Sequence, residues 1–182
     1  GQSKLKSSQS TSHTVNMDGS ESWQDGSVRN GVTTVVSLIT YEYDPATGRL
    51  RNNGADATDG VMMTNDGFGN WTKTTIKQTY ALVNGQAKLN SSRSVSNTTN
   101  LDLSTSNQDL TVTYKYYGQP GFDVDANHKL GQLAQVSGSG TFSSNDSFDN
   151  ITTGNITQTY EIIHGQSKLK SSQSTSHTVN MD

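Results

Sequence analysis

The sequence has no cysteine and only two prolines in 182 residues. The absence of cysteine removes disulfides, thiolate metal sites and cysteine nucleophiles together. No run of about 18 apolar residues occurs, so no helical membrane span is expected. The first residues lack the basic and apolar regions of a secretion signal, which places any export signal outside this stretch. Charge is scarce as well: Asp, Glu, Lys and Arg make up 16% of the chain and the formal net charge is -3. Binding a phosphate backbone needs a basic face or stripe, so nucleic acid is not an expected partner. Large apolar side chains are few, with Leu, Ile, Val and Phe together numbering 33, below the level that builds a thick core. A disordered chain this poor in apolar residues normally carries a large net charge. Here Ser, Thr, Asn and Gly fill the gap instead, a polarity of the strand-and-turn kind.

What the chain has is internal repetition, the signature of tandem architectures. Residues 1–18, GQSKLKSSQSTSHTVNMD, recur unchanged as residues 165–182. A diverged copy at 85–102, GQAKLNSSRSVSNTTNLD, keeps 11 of the 18. Residues 51–102 align with 131–182 without a gap and share 21 of 52 positions, among them Asn65/Asn145, Asp66/Asp146, Phe68/Phe148, Tyr80/Tyr160 and Leu89/Leu169. The unit is therefore about 80 residues, and two units make one 164-residue period. The organisation expected is a partial repeat at 1–18, a unit at 19–102 and a second at 103–182 that ends in the strand of 1–18. Two arrangements fit: a longer covalent array, or separate subunits that exchange the duplicated strand. Both make a polymer.

Period-two alternation predicts strands. The clearest are 71–83 and 151–163, where Ile76, Tyr80 and Leu82, matched by Ile156, Tyr160 and Ile162, lie on one face. Lys77 and Thr79, matched by Thr157 and Thr159, lie on the other. Leu89 and Leu169 continue this apolar stripe on the following strand, a surface for core packing and self-association. Asn84-Gly85 and His164-Gly165 fit the two-residue hairpin turn that needs positive φ at both positions. NDGFGN at 65–70 and NDSFDN at 145–150 read as loops, with Phe68 and Phe148 expected to plug onto the sheet. Segments 32–43 and 109–117 supply a further strand in each unit. The fold class expected is all-β, with long antiparallel strands in an extended sheet or a solenoid-like stack. Neighbouring repeats would complete the burial.

At 40–50 the chain reads TYEYDPATGRL, which resembles the YD repeat of Rhs-type and teneurin-type surface proteins. Asp44-Pro45 opens a turn, Gly48 closes it, and Tyr41 and Tyr43 share one side of the incoming strand. The other unit reads TYKYYGQPGFDVDANHKL at 113–130, with Tyr114 and Tyr116 in the matching places and a longer loop after them. More broadly, the Thr/Asn/Ser/Gly-rich units, with GQSKL and ITQTY motifs, look like the long tandem arrays of giant bacterial cell-surface proteins. That resemblance implies an extracellular location and a role as fibre, adhesin stalk or surface coat.

Candidate chemistry is sparse. His13 and His177 share one repeated position where the middle copy has Asn97, His164 replaces Asn84 in a turn, and His128 sits in an inserted loop. No Gly-x-Ser-x-Gly elbow is present, and no catalytic function is expected. Asp123, Asp125 and Asn127 alternate oxygen ligands as calcium favours in loops, but the glycine and distal Glu of an EF-hand loop are lacking, and a plain Asx-rich turn is the better account. Apart from calcium, no cofactor is implied. Trp23, Trp71 and the paired tyrosines fit either a sugar-binding platform or core packing. The function expected is a structural filament segment whose partner is itself, assembled by repeat stacking and strand addition. The alternative is an adhesin repeat that binds a glycan or another cell surface.

Overall fold

The computed structural model describes residues 3–180, and they are all-β, without a helix. The strands are β1 (Ser7–Gln9), β2 (Ser12–Val15), β3 (Glu21–Gln24), β4 (Val28–Arg29), β5 (Val32–Thr33), β6 (Leu38–Tyr43) and β7 (Leu50–Ala57). They continue with β8 (Gly60–Asn65), β9 (Trp71–Val83), β10 (Gln86–Thr99), β11 (Thr105–Tyr116), β12 (Leu133–Asn145), β13 (Ile151–Ile163) and β14 (Gln166–Val179). Nine of them form one antiparallel sheet in the order β14-β13-β12-β11-β10-β9-β8-β3-β2. It is a meander, in which each strand lies beside its predecessor except where the chain leaves after β3 and returns at β8. Gly1, Gln2, Met181 and Asp182, the outermost residues of the duplicated segments, lie outside the described residues.

The long strands follow from local chemistry. Exposure alternates residue by residue along the whole of β13, with Ile156, Tyr160 and Ile162 half-buried and Thr157 and Thr159 exposed. Thirteen residues in a strand span about 43 Å at roughly 3.3 Å per residue. Hydroxyl pairs across the strands help where apolar area is scarce: Thr72 to Thr98 at 2.8 Å, Thr74 to Ser96 at 2.9 Å and Thr152 to Thr178 at 2.8 Å. Cross-strand pairs of this kind stabilise a sheet by about 0.2–1 kcal/mol each. The hairpin turns have the geometry their residues favour, with φ of 51° and 72° at Asn84-Gly85 and 51° and 77° at His164-Gly165. Asn30-Gly31, at 47° and 72°, makes the same kind of turn between β4 and β5.

Two local expectations are corrected. Segment 32–43 supplies no strand of the large sheet and meets it only through an isolated bridge of Val35 to Val61 on β8: β5 pairs only with β4, and β6 sits in a separate three-stranded sheet of order β1-β6-β7. The place beside β8 goes to β3. The reason lies at Asp25, whose carboxylate accepts from the Ser27 amide at 3.0 Å and hydroxyl at 2.5 Å. With Gly26 at φ 86°, this turn takes the chain off the sheet. Phe68 and Phe148 do not plug their loops, being 75% and 80% exposed. Asp66 and Asp146 organise those loops instead. Each accepts from the amide of the Phe two residues on, at 2.8 and 2.9 Å, and from the side chain of Asn70 or Asn150.

The buried residues are few. Trp23, Ala57, Met63, Val83, Tyr116 and Val136 are the buried apolar ones, joined by Thr34 and Thr74. The small sheet covers part of the large one, with β7 against β9 and Ile39, Ile76 and Gln78 lining one cleft. Burial, with Tyr41 beside it, raises the Tyr80 phenol above its usual value. Over β13 no such cover exists among the described residues, and Leu169 is 54% exposed.

Candidate functional site

Both ends of the large sheet are built from the same sequence, and they differ in what they pair with. At one end β2 pairs with β3 in the register Ser12 to Gln24, His13 to Trp23, Thr14 to Ser22 and Val15 to Glu21. Earlier on the same segment β1 pairs with β6, Ser7 to Thr40, Ser8 to Ile39 and Gln9 to Leu38. At the other end the identical residues, 164 positions on, form β14. It pairs with β13 along its whole length, and no described strand lies on its other side.

The β2–β3 pairing centres on an aromatic stack. Trp23 is buried, lies over Trp71 at a ring separation of 5.9 Å and is covered by the His13 ring at 5.6 Å. The Arg29 guanidinium sits 4.9 Å from the Trp23 ring, and His13 Nε2 is 3.6 Å from the Glu21 carboxylate. These contacts explain why a four-residue strand holds its place. The expectation of a Trp sugar platform fits poorly with the burial of Trp23.

The equivalent pairing inside the chain, β10 on β11, uses other chemistry in the same register. Asn97 is opposite Asn107, and the Asn107 amide donates to the Asn97 carbonyl at 2.6 Å. One turn of the pleat away, Arg93 Nε donates to Asp109 at 2.8 Å, and this pairing pulls the Asp109 carboxyl below its usual range.

The loops at one end of the strands repeat a single design. In Asn16 to Ser20 and again in Asn100 to Ser104, the Ser amide donates to the preceding Asp at 2.9 Å, and the Asn side chain donates to the Ser hydroxyl. Adjacent loops touch: the Leu101 amide donates to Asn70 Oδ1 at 2.9 Å and the Ser147 hydroxyl to the Asp102 carbonyl at 2.8 Å. Hydrogen bonds from Ser20, Phe68, Ser104 and Asn150 are the main reason the carboxyls of Asp18, Asp66, Asp102 and Asp146 lie below their ordinary value of 3.8. A depressed carboxyl stabilises the fold above its unfolded value, and that contribution is lost as pH falls through the folded one. The thermal midpoint is therefore expected to hold steady from neutral pH down to the ordinary carboxylate range and to fall below it. Calorimetry across that range checks this, and a midpoint that falls between pH 7 and 5 would contradict it.

The other sequence-derived sites are placed as follows. Ile76, Tyr80, Leu82 and Leu89 are half-buried, as are Ile156, Tyr160 and Ile162, and Leu89 and Leu169 stand opposite Tyr80 and Tyr160. In the 123–128 loop Asp125 serves the turn itself: its Oδ1 accepts from the amides of Asn127 at 2.7 Å and His128 at 2.8 Å and meets His128 Nδ1 at 2.8 Å. The His128 ring also stacks on Tyr117 at 4.3 Å. Among the described residues no three His, Cys, Asp or Glu side chains gather as a metal site, and no helix is long and apolar enough to cross a membrane. An open groove of about 570 Å³ runs along the sheet face between Phe142, Gly154 and His177. What sequence reasoning missed was the His13–Trp23 stack. Its signal was present in the shared D-x-S-x-S-x-Q-D pattern of 18–25 and 102–109, which marks β3 as the counterpart of β11. No known protein family, no curated protein and no solved structure matches this chain.

Proposed function

We propose that this chain is a structural segment of an extracellular filament or surface fibre, assembled from repeats of about 80 residues that join sheet to sheet by strand addition. The observation that carries this reading is the identity of the two sheet ends: one copy of the duplicated segment is partnered by β3 and β6, the other by β13, and each leaves its opposite side open among the described strands. A repeat in the sequence that is also a repeat in strand register supports it. Glu21 pairs with Asn65 as Thr105 pairs with Asn145, and Gly60 pairs with Ile76 as Gly140 pairs with Ile156. The skip between Leu89 and Ser91 recurs at the same place between Leu169 and Ser171. Open sheet edges template further strands unless they are blocked, and this one carries neither proline nor a bulge between Ser171 and Val179. The extracellular setting rests on the resemblance of the Thr/Ser/Asn-rich units to surface-protein arrays, and the cysteine-free composition is compatible with it.

Electron microscopy of the native material, with mass measurement of the boiled, denatured chain, tests the proposal. Filaments with a regular axial repeat are the expected result, and a denatured chain far longer than 164 residues would make them a covalent array. Filaments with a short chain would make them strand-exchanged subunits. Dispersed monomers that bind a sugar or a cell surface would overturn the structural role in favour of an adhesin.

A further inference from the structure

We infer that the open side of β14 is the docking site for the Glu21–Gln24 and Leu38–Thr40 strand segments of a second copy of this chain, and that the facing pair His177 and Trp23 specifies that joint. The inference rests on the filament reading and names its contact. The cognate complex already exists within the chain. Residues 7–15 pair with β6 and β3, and residues 171–179 are the same nine residues. Moving that register by 164 positions sets Ser171, Ser172 and Gln173 opposite Thr40, Ile39 and Leu38 of the second copy. It sets Ser176, His177, Thr178 and Val179 opposite Gln24, Trp23, Ser22 and Glu21. His177 then covers Trp23 as His13 does.

The exchange has a direction. Segment 7–15 pairs on one side only and is divided between two sheets, and its residues are all exposed. β14 presents the same residues already ordered by β13 along their full length, and it bends at Ser174–Thr175 on docking to follow β6 and β3 as segment 7–15 does. Pairing lost equals pairing gained, while the incoming strand is the one with less freedom left to lose, which favours it. The joint also selects its partner. The internal pairing of β10 on β11 needs Asn97 against Asn107 and Arg93 against Asp109. β14 has His177 and Gln173 at those places. Docked on a β11 edge, it would leave Asp109 without its arginine. A β10-type strand on β3 would set Asn97 against Trp23 and lose the stack. The two kinds of joint therefore alternate and do not mix, which keeps the units in order.

Paired charge substitutions in the full chain test this. A glutamate in place of the histidine faces Trp23 next to Glu21, so like charges meet across the pair. H177E is expected to keep the chain monomeric at concentrations where the wild type gains mass by light scattering. H13E weakens only the resident strand and is expected to raise the assembled mass, although the two substitutions are made in identical sequence. Because the chain has no cysteine, S22C/T178C gives a second reading: a ladder of covalent multimers with the 22 to 178 linkage as the main product. Substitutions that shift mass in the same direction or leave it unchanged, or multimers linked mainly 22 to 22 and 178 to 178, would overturn the joint. Filaments without the 22 to 178 linkage would leave the filament reading standing and sink the joint. The linkage without filaments would do the reverse.

Discussion

Trp23→Ala is expected to cost about 3–5 kcal/mol, the range for truncating a buried Trp or Phe. Trp23 is 5% exposed and is the largest buried side chain on the β3 side of the sheet. It contacts His13, Trp71 and Arg29 at ring distances of 5.6, 5.9 and 4.9 Å. Offset aromatic pairs contribute about 0.5–1.5 kcal/mol beyond their area, and a guanidinium over an indole adds about 0.5–1 kcal/mol where it is exposed. β3 has only four residues, so little else holds it. The loss is expected as early opening of residues 3–24, seen as lost amide protection there before the rest of the sheet responds to guanidinium. Asn107→Ala, at the matching place in the other unit, is the comparison: it removes one exposed hydrogen bond and should cost about 1 kcal/mol. Equal effects at the two positions would mean that the stack does not anchor the edge.

The parts of the fold that are legible in the sequence are those governed by nearest neighbours along the chain. The limits of β9 and β13 coincide with the period-two segments, because alternation directly reports a surface buried on one side. The Asn84-Gly85 and His164-Gly165 turns are legible for the same reason, since positive φ is a property of the residues themselves. The departure of the chain at Asp25 was not legible. It depends on Thr34, nine residues away, whose hydroxyl donates to the Ser27 carbonyl at 2.9 Å and is itself fully buried. Neither was the small sheet, since 32–43 has the composition of any other strand in this chain and only the turn before it decides which sheet it joins. The 123–128 loop has the spacing of a cation site, yet at Asp125 backbone amides and His128 take up the carboxylate oxygens. Spacing cannot report whether an oxygen is already engaged.

Gly140→Ala is expected to destabilise the chain by about 1–3 kcal/mol, the usual cost of overpacking, while Gly60→Ala at the matching position is nearly neutral. Both residues align in the two units, and both stand opposite the repeated Ile76/Ile156 position. Alanine suits a strand interior better than glycine by roughly 0.5–1 kcal/mol on entropy grounds, so composition alone predicts a gain at both. The surroundings reverse that for one of them. A Cβ at Gly140 would lie 2.2 Å from the Asp109 carbonyl oxygen and 2.9 Å from the Leu110 Cα, both backbone atoms of the adjoining β11. These can yield only if β11 and β12 move apart. A Cβ at Gly60 would meet the end of the Gln24 side chain at 2.4 Å, which can swing away for the loss of one long hydrogen bond to Val35 at 3.4 Å. Chemical denaturation of the two variants gives the comparison directly. If G140A is as stable as G60A, the close approach of β12 to β11 is not rigid, and the second half of the sheet is held more loosely than its regular register implies. If G140A weakens the chain as expected, protection should fall first between β11 and β12. Strands β12, β13 and β14 would then part from the rest as a unit, taking the open edge of β14 with them.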